Sequence, residues 1–188
     1  LEEHPFSFSS SAERRGRVEF GIKALGDFSG AVGEIPVGTR AFLDGPHGAF
    51  SIDRYQGVGY VFVAGGVGIT PFMSFLRTMV DREDPRPVML IYADRTWDEV
   101  AFRDELEEMK NRLDLEVVYV LEEAPEEGWE GETGYITGEL LEERLPKEKF
   151  TRLFFVCGPT AMMDTVHSAL LEHGVPEAHV QMERFSLA

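Results

Sequence analysis

The spacing of hydrophobic and polar positions changes part-way along this chain. Through residues 17–25, Val18, Phe20 and Ile22 alternate with polar partners, and 39–45 carries Arg40-Ala-Phe-Leu43 into the turn Gly45-Pro-His-Gly48. A period of two predicts short strands at both places, with Pro36 in a turn tract between them, so residues 1–50 read as all-β. After Tyr55-Gln-Gly-Val-Gly59 apolar runs alternate with helical spacing. Strands are predicted at 60–64, 88–93, 115–121, 152–157 and 179–183, and helices at 70–81, 98–112, 138–144 and 160–173. The runs Val88-Met-Leu-Ile-Tyr92 and Leu153-Phe-Phe-Val156 are nearly continuous, as in strands covered on both faces. The alternation predicts an α/β domain at 56–188, a doubly wound, parallel, five-stranded sheet with right-handed crossovers. A boundary near residue 55 separates it from the all-β part, 1–55.

The first of these strands ends in the most informative turn. Val61-Phe-Val-Ala breaks at Gly65-Gly66, Gly68 follows, and a helix opens at Thr70 with Pro71 in its first turn, where a missing N–H is harmless. Glycines at a strand-to-helix turn let backbone approach a diphosphate, and the helix N-terminus offers unpaired N–H groups to the anion. The pattern is G-x-G-x-x-P rather than the G-x-G-x-x-G of the usual dinucleotide fold, and by itself it fits a tightly packed glycine turn equally well. In parallel sheets, ligands lie beyond the carboxyl ends of the strands. Gly65–Thr70, Ala93-Asp-Arg-Thr96 and Cys157-Gly-Pro159 all follow strand ends, so they are expected to line one crevice, which favours the nucleotide.

Composition narrows the classes. The chain has 188 residues, 43% of them hydrophobic, and a formal charge of −16. Such an acidic surface repels phosphate backbones, which argues against nucleic acid as a partner. The acid in Glu99–Glu108 and Glu122–Glu132 reads as solvated surface, or as a dock for a basic partner. No apolar run reaches the ~20 residues of a membrane span, and Leu1-Glu-Glu-His-Pro is no secretory leader, so the polypeptide is expected to be soluble as it stands. The single cysteine, Cys157, excludes an intramolecular disulfide and a Cys-ligated iron–sulfur cluster and fits a reducing compartment. The histidines show no close metal-ligand spacing, so no metal site is expected.

Four segments and the C-terminus, taken in order, carry a resemblance. His4-Pro5-Phe6-Ser7, Gly26-Asp-Phe28-Ser29, Gly66-Val-Gly68-Ile-Thr70-Pro71, Cys157-Gly158-Pro159 and Glu183-Arg-Phe185 together resemble the ferredoxin–NADP reductase superfamily. The His-Pro-Phe-Ser form is similar to its ferric reductase and NADPH oxidase branch. The resemblance implies FAD and NADPH or NADH as cofactors. Ser7 would lie near the flavin N5, with His4 where soluble relatives carry a phosphate-clamping Arg and Phe6 where they carry Tyr. Gly26, Phe28 and Ser29 match a second flavin segment, to which Lys23 adds charge or beside which it is simply an exposed lysine. Gly66, Gly68 and Thr70 would take the dinucleotide's diphosphate. Cys157-Gly158-Pro159 would sit beside the nicotinamide, Cys157 otherwise being a buried strand-end cysteine. Glu183 and Phe185 would reach the flavin, the carboxylate near Ser7 and the ring packing on the isoalloxazine, Phe185 otherwise being plain core. Arg95 suits the 2′-phosphate of NADPH, whereas Asp94 suits the free 2′-hydroxyl of NADH; the branch leans the choice to NADPH.

In the superfamily a flavin-binding β-barrel contributes several strands before the His-Pro-Phe-Ser position, where this chain has three residues. The chain is therefore expected to hold only the C-terminal part of an antiparallel barrel and to come from a longer protein. The resemblance implies a dehydrogenase module that passes hydride from NAD(P)H to FAD and single electrons to haem in a missing transmembrane region, placing it on the cytoplasmic side of a membrane. One alternative is the reductase component of a soluble oxygenase or ferredoxin system. Another is a non-catalytic regulatory or binding domain that keeps the fold.

Overall fold

A computed structural model of the chain describes residues 3–184. A short helix, α1 (Asp27–Ala31), precedes strand β1 (Tyr60–Gly65) and helix α2 (Ile69–Arg82). Then come β2 (Val88–Thr96), α3 (Arg103–Met109), β3 (Leu115–Glu123), β4 (Glu132–Thr133) and α4 (Gly138–Arg144), followed by β5 (Leu153–Cys157), α5 (Thr160–Glu172) and β6 (Val180–Glu183). The strands form one parallel sheet in the order β4-β3-β2-β1-β5-β6. The chain enters at the centre, winds outward through β2 and β3, and returns to lay β5 against the other side of β1. The strand order thus reverses between β1 and β5, where an open α/β sheet leaves a crevice at its carboxyl edge.

All five predicted strands of this part form, within a few residues of their expected ends. The sixth, β4, is two polar residues long and carries no hydrophobic pattern to reveal it. The helix expected over 98–112 divides into a 3-10 turn at Trp97–Glu99 and α3. Phe102 stands between them in the left-handed region (φ 61°), which no α-helix tolerates.

Alternate residues of each strand point to opposite faces, so the sheet has a core on each side. Phe62, Phe72, Leu76 and Phe155 fill one; Val61, Val63, Val156, Met163 and Val166 fill the other. Phe62 and Phe72 stack with ring centroids 5.0 Å apart, and Phe50 lies edge-on to Phe155 at 5.3 Å. Phe50 and the buried Ile52 therefore tie the segment before β1 into the same core.

The strands expected at 17–25 and 39–45 do not form. Among the described residues, pairing in the first fifty is limited to one antiparallel bridge, Phe8 with Phe20, beside which Ser9 N donates to the Glu19 carbonyl at 2.8 Å. Alternation predicts an extended chain but not the partner a ladder requires. Phe42 and Leu43 are accordingly 86% and 59% exposed. Residues 27–31 coil into α1 instead, because the Ser29 hydroxyl accepts the N–H groups of Leu25 and Gly26, each at 3.0 Å.

A polar seam docks this segment on α2. Ser9, Ser10 and Ser11 are buried; Ser74 Oγ donates to the Ser10 carbonyl at 2.7 Å and Ala12 N donates to Thr78 Oγ1 at 2.9 Å. Arg77 completes the seam. Its guanidinium grips both Glu105 oxygens at 2.7 Å, reaches Glu19 at 2.9 Å and the Ser9 carbonyl at 2.8 Å, and lies 5.5 Å from the Phe102 ring centre. Among the described residues no helix is long and apolar enough to cross a membrane.

Candidate functional site

Two loops interlock at the switch point. Gly66–Gly68 makes a 3-10 turn at the end of β1 and leads directly into α2. Gly66 is in the left-handed region (φ 52°) with no atom within 4 Å of where a Cβ would stand, so its constraint is conformational and its upper side open. Gly68 is constrained by packing. A Cβ there would run into the Cys157 carbonyl oxygen, with the carbonyl carbon at 2.6 Å and Gly158 Cα at 2.9 Å. The Met162 side chain packs beside the opposing loop, Cys157-Gly158-Pro159, filling the space where a Cβ on Gly65 or Gly158 would stand. These two of the three strand-end segments pack directly against each other.

Thr70 and Pro71 are buried in the first turn of α2. The Thr70 hydroxyl donates to the Val67 carbonyl at 2.8 Å and lies 3.4 Å from that of Gly21. This corrects one expectation: the Thr70 side chain braces the glycine turn from within and does not face a ligand. The fourteen-residue α2 sets the positive end of its dipole at this turn, as a helix N-terminus that attracts an anion does.

At the same edge, Cys157 and Glu183 are register partners across β5 and β6. Burial raises the Glu183 carboxyl above its ordinary range, and the nearby Ser7 hydroxyl offsets only part of that rise. Cys157 is fully buried; burial, reinforced by the negative charge of Glu183, drives its thiol far up, so it stands as a neutral, polarizable group. Ser7, Cys157 and Glu183 thus meet although 150 residues separate the first two. A cleft of about 220 Å³ lies beside Glu183, walled by Phe50, Tyr55 and Gln181.

The aromatic members of the predicted flavin set also come together. His4 stacks on Phe28 with centroids 3.6 Å apart, and Phe6 lies 6.1 Å from Phe28. Ser29 departs from its expected role, since its hydroxyl is spent on the turn before α1. The Lys23 ammonium lies 3.4 Å from Glu99. Phe185 lies outside the described residues.

Past its last rung with β1 (Gly65 with Ala93), β2 runs on through Asp94, Arg95 and Thr96. Asp94 accepts the Arg95 N–H at 2.9 Å, and burial raises its carboxyl. Arg95 pairs with Glu99 at 2.8 Å. Glu99 was missed in the sequence, although its i,i+4 spacing from Arg95 is a readable signal. Tyr92 Oη accepts the Ala101 N–H at 3.2 Å and so fixes the loop carrying Glu99. Among the described residues, no three His, Cys, Asp or Glu side chains are grouped to hold a metal ion.

A family model described as "Oxidoreductase NAD-binding domain" matches residues 62–168, from β1 into α5. The chain belongs to that family. NADH-cytochrome b5 reductase 1 of Lodderomyces elongisporus is 33% identical over 174 residues, which are 90% of this chain and 58% of that protein. The glycine betaine monooxygenase reductase subunit of Chromohalobacter salexigens is 31% identical over 186 residues, 96% of this chain and 48% of that protein. This NAD-binding domain chain thus spans about half the length of the relatives it matches. The cytochrome b5 reductase domain of Ulva prolifera nitrate reductase superposes with a TM-score of 0.83 at 22% identity, over 95% of this chain and 76% of that domain, which shows the shared fold. The superfamily expected from the motifs is therefore the right one at the level of its NAD-binding domain.

The residues fit a dinucleotide opposite a flavin. Gly66, with open space where a Cβ would stand, leaves the turn's backbone accessible to a diphosphate, stacked rings lie among the flavin segments, and a neutral thiol lies beside Glu183 at the strand ends.

Proposed function

We propose that this chain is the NAD(P)H-binding and flavin-facing part of a reductase that takes hydride from a nicotinamide dinucleotide and delivers single electrons to an acceptor. The observation that carries the reading is the meeting of the Gly66–Gly68 turn, Cys157-Gly158-Pro159, Glu183 and Ser7 at one switch point. Flavin, when bound, supplies the conversion of a two-electron donor into one-electron steps.

The chain's own residues supply position. Backbone N–H groups at the head of α2 hold a diphosphate, and Gly158 and Pro159 shape the floor on which the nicotinamide lies. Cys157 lies fully buried beneath that floor and keeps it uncharged, because its thiol does not ionise at neutral pH. Ser7 offers a hydroxyl toward the flavin from beside the Glu183 carboxylate. His4, Phe6 and Phe28 provide the stacking side. A catalytically silent binding domain would have no need for Ser7, Cys157 and Glu183 to meet.

Two acceptor classes divide the finer reading. The His4-Pro5-Phe6-Ser7 form supports a haem acceptor in a membrane flavocytochrome of the ferric reductase or NADPH oxidase kind, with this chain at the cytoplasmic face. The monooxygenase reductase relative, similar over nearly the whole chain, supports a soluble oxygenase system. An anaerobic titration tests the common core. Purified chain is mixed with FAD, then with NADH or NADPH, and flavin bleaching is compared with FAD alone. Bleaching faster than the control is expected; no acceleration with either nucleotide refutes the reading.

A further inference from the structure

The carboxyl edge of β2 carries an arrangement of charge that selects between nucleotides. Two cations stand there, Arg95 on the strand and Lys23 from the N-terminal segment, and one carboxylate holds both. Arg95 Nη2 lies 2.8 Å from Glu99 Oε1, and Lys23 Nζ lies 3.4 Å from Glu99 Oε2. Each carboxylate oxygen therefore serves one cation. Asp94 sits beside them, half-buried and bonded to the Arg95 backbone. Glu122 and Glu123 bring two more carboxylates from the end of β3, where Thr96 and Glu123 form the last rung, and both act on Arg95. Glu122 also accepts the Tyr135 hydroxyl at 3.0 Å. Two cations thus face four carboxylates at the position where a dinucleotide-binding sheet places the adenosine ribose.

A ribose 2′-phosphate carries about −1.5 to −2 charges and needs guanidinium or ammonium groups free to turn toward it. A free 2′-hydroxyl needs only an acceptor such as a carboxylate. We infer that Glu99 is the residue that turns this site toward NADH, by holding Lys23 and Arg95 away from a 2′-phosphate. The inference rests on the nucleotide reading of the site and reverses the lean to NADPH drawn from the branch resemblance. Glu99 acts through the two cations, so it is a positioning residue. The exposed pairs matter little to stability. They matter to recognition because a 2′-phosphate must break them before it gains its own contacts.

The test uses 5′-AMP and 2′,5′-ADP, which differ only in the 2′-phosphate, titrated calorimetrically into the whole chain without flavin. Wild type is expected to bind 5′-AMP at least as tightly as 2′,5′-ADP. Glu99→Gln should raise the affinity for 2′,5′-ADP relative to 5′-AMP by about tenfold at low salt, with the gain shrinking as salt screens it. Glu142→Gln, the same charge change on α4, should leave the ratio unmoved, and adding Arg95→Ala to Glu99→Gln should abolish the gain. A ratio within twofold of wild type in Glu99→Gln, or an equal gain in Glu142→Gln, overturns the inference. Failure of wild type to bind either nucleotide overturns the nucleotide site itself, a result distinct from binding without the expected selectivity.

Discussion

Replacing Gly68 by alanine isolates the packing on which the site depends. The new methyl would sit 2.6 Å from the Cys157 carbonyl carbon and 2.9 Å from Gly158 Cα, against carbon contacts of about 3.5–4.0 Å in well-packed interiors. Relief therefore requires the two loops to part by about 1 Å. Both obstructing groups are backbone. Overpacking costs about 1–3 kcal/mol, and the absence of a yielding side chain puts Gly68→Ala in the upper half, about 2–3 kcal/mol. For a chain of this length that lowers Tm by about 5–10 °C. Gly66→Ala is the control. Its methyl would meet nothing, so only the left-handed backbone is penalised, at about 1 kcal/mol. Thermal unfolding followed by circular dichroism, with 5′-AMP titration in parallel, reads both effects. Gly68→Ala should melt lower than Gly66→Ala and bind the nucleotide more weakly than wild type. Equal melting of the two variants, or a Gly68→Ala protein with wild-type stability and binding, would refute the interlocked-loop account.

Two further outcomes are expected. Arg77→Ala should lose about 2 kcal/mol in chemical denaturation, less than a fully buried pair because Glu19 and Glu105 keep some solvent contact; Arg77→Lys should recover only part of it, since an ammonium cannot grip both Glu105 oxygens in parallel. Glu183 gives a pH signature: burial raises its carboxyl above the ordinary 4.5, so the folded chain binds more protons than the unfolded one, and this group's contribution to stability falls as pH rises through that window. Glu183→Gln should thus gain stability relative to wild type at neutral pH, with the advantage fading below the ordinary glutamate range; an advantage that grows toward acid would contradict the burial.

The parallel sheet was readable because its information is local and repeated. The central strands β1, β2 and β5 are runs of apolar residues too regular to be loops, whereas β4, two polar residues, left no such trace. The misreadings occurred where structure depends on a partner. Val18, Phe20 and Ile22 do alternate, yet alternation says only that a chain is extended; a ladder needs a second backbone, and Phe20 finds one rung with Phe8. The α1 helix was hidden for a related reason. Its cause is one hydroxyl accepting two N–H groups, a contact that a four-residue motif does not distinguish from a ligand contact.

The site divides along the same line. Gly68 and Cys157 were legible because a sheet of this topology must bring the ends of β1 and β5 together. Thr70 was placed on the right turn with its hydroxyl turned the wrong way, since the pull on it comes from the carbonyls of Val67 and Gly21, the latter 49 residues away. Lys23 is the sharpest instance. A lone lysine in an extended segment near the flavin motifs gives no sign that its partner is Glu99, 76 residues on. Yet that contact decides the charge at the edge of β2. The fold could be read from what each segment is, whereas the pairing of Lys23 with Glu99 could not, because it is set by contact between segments far apart in the chain.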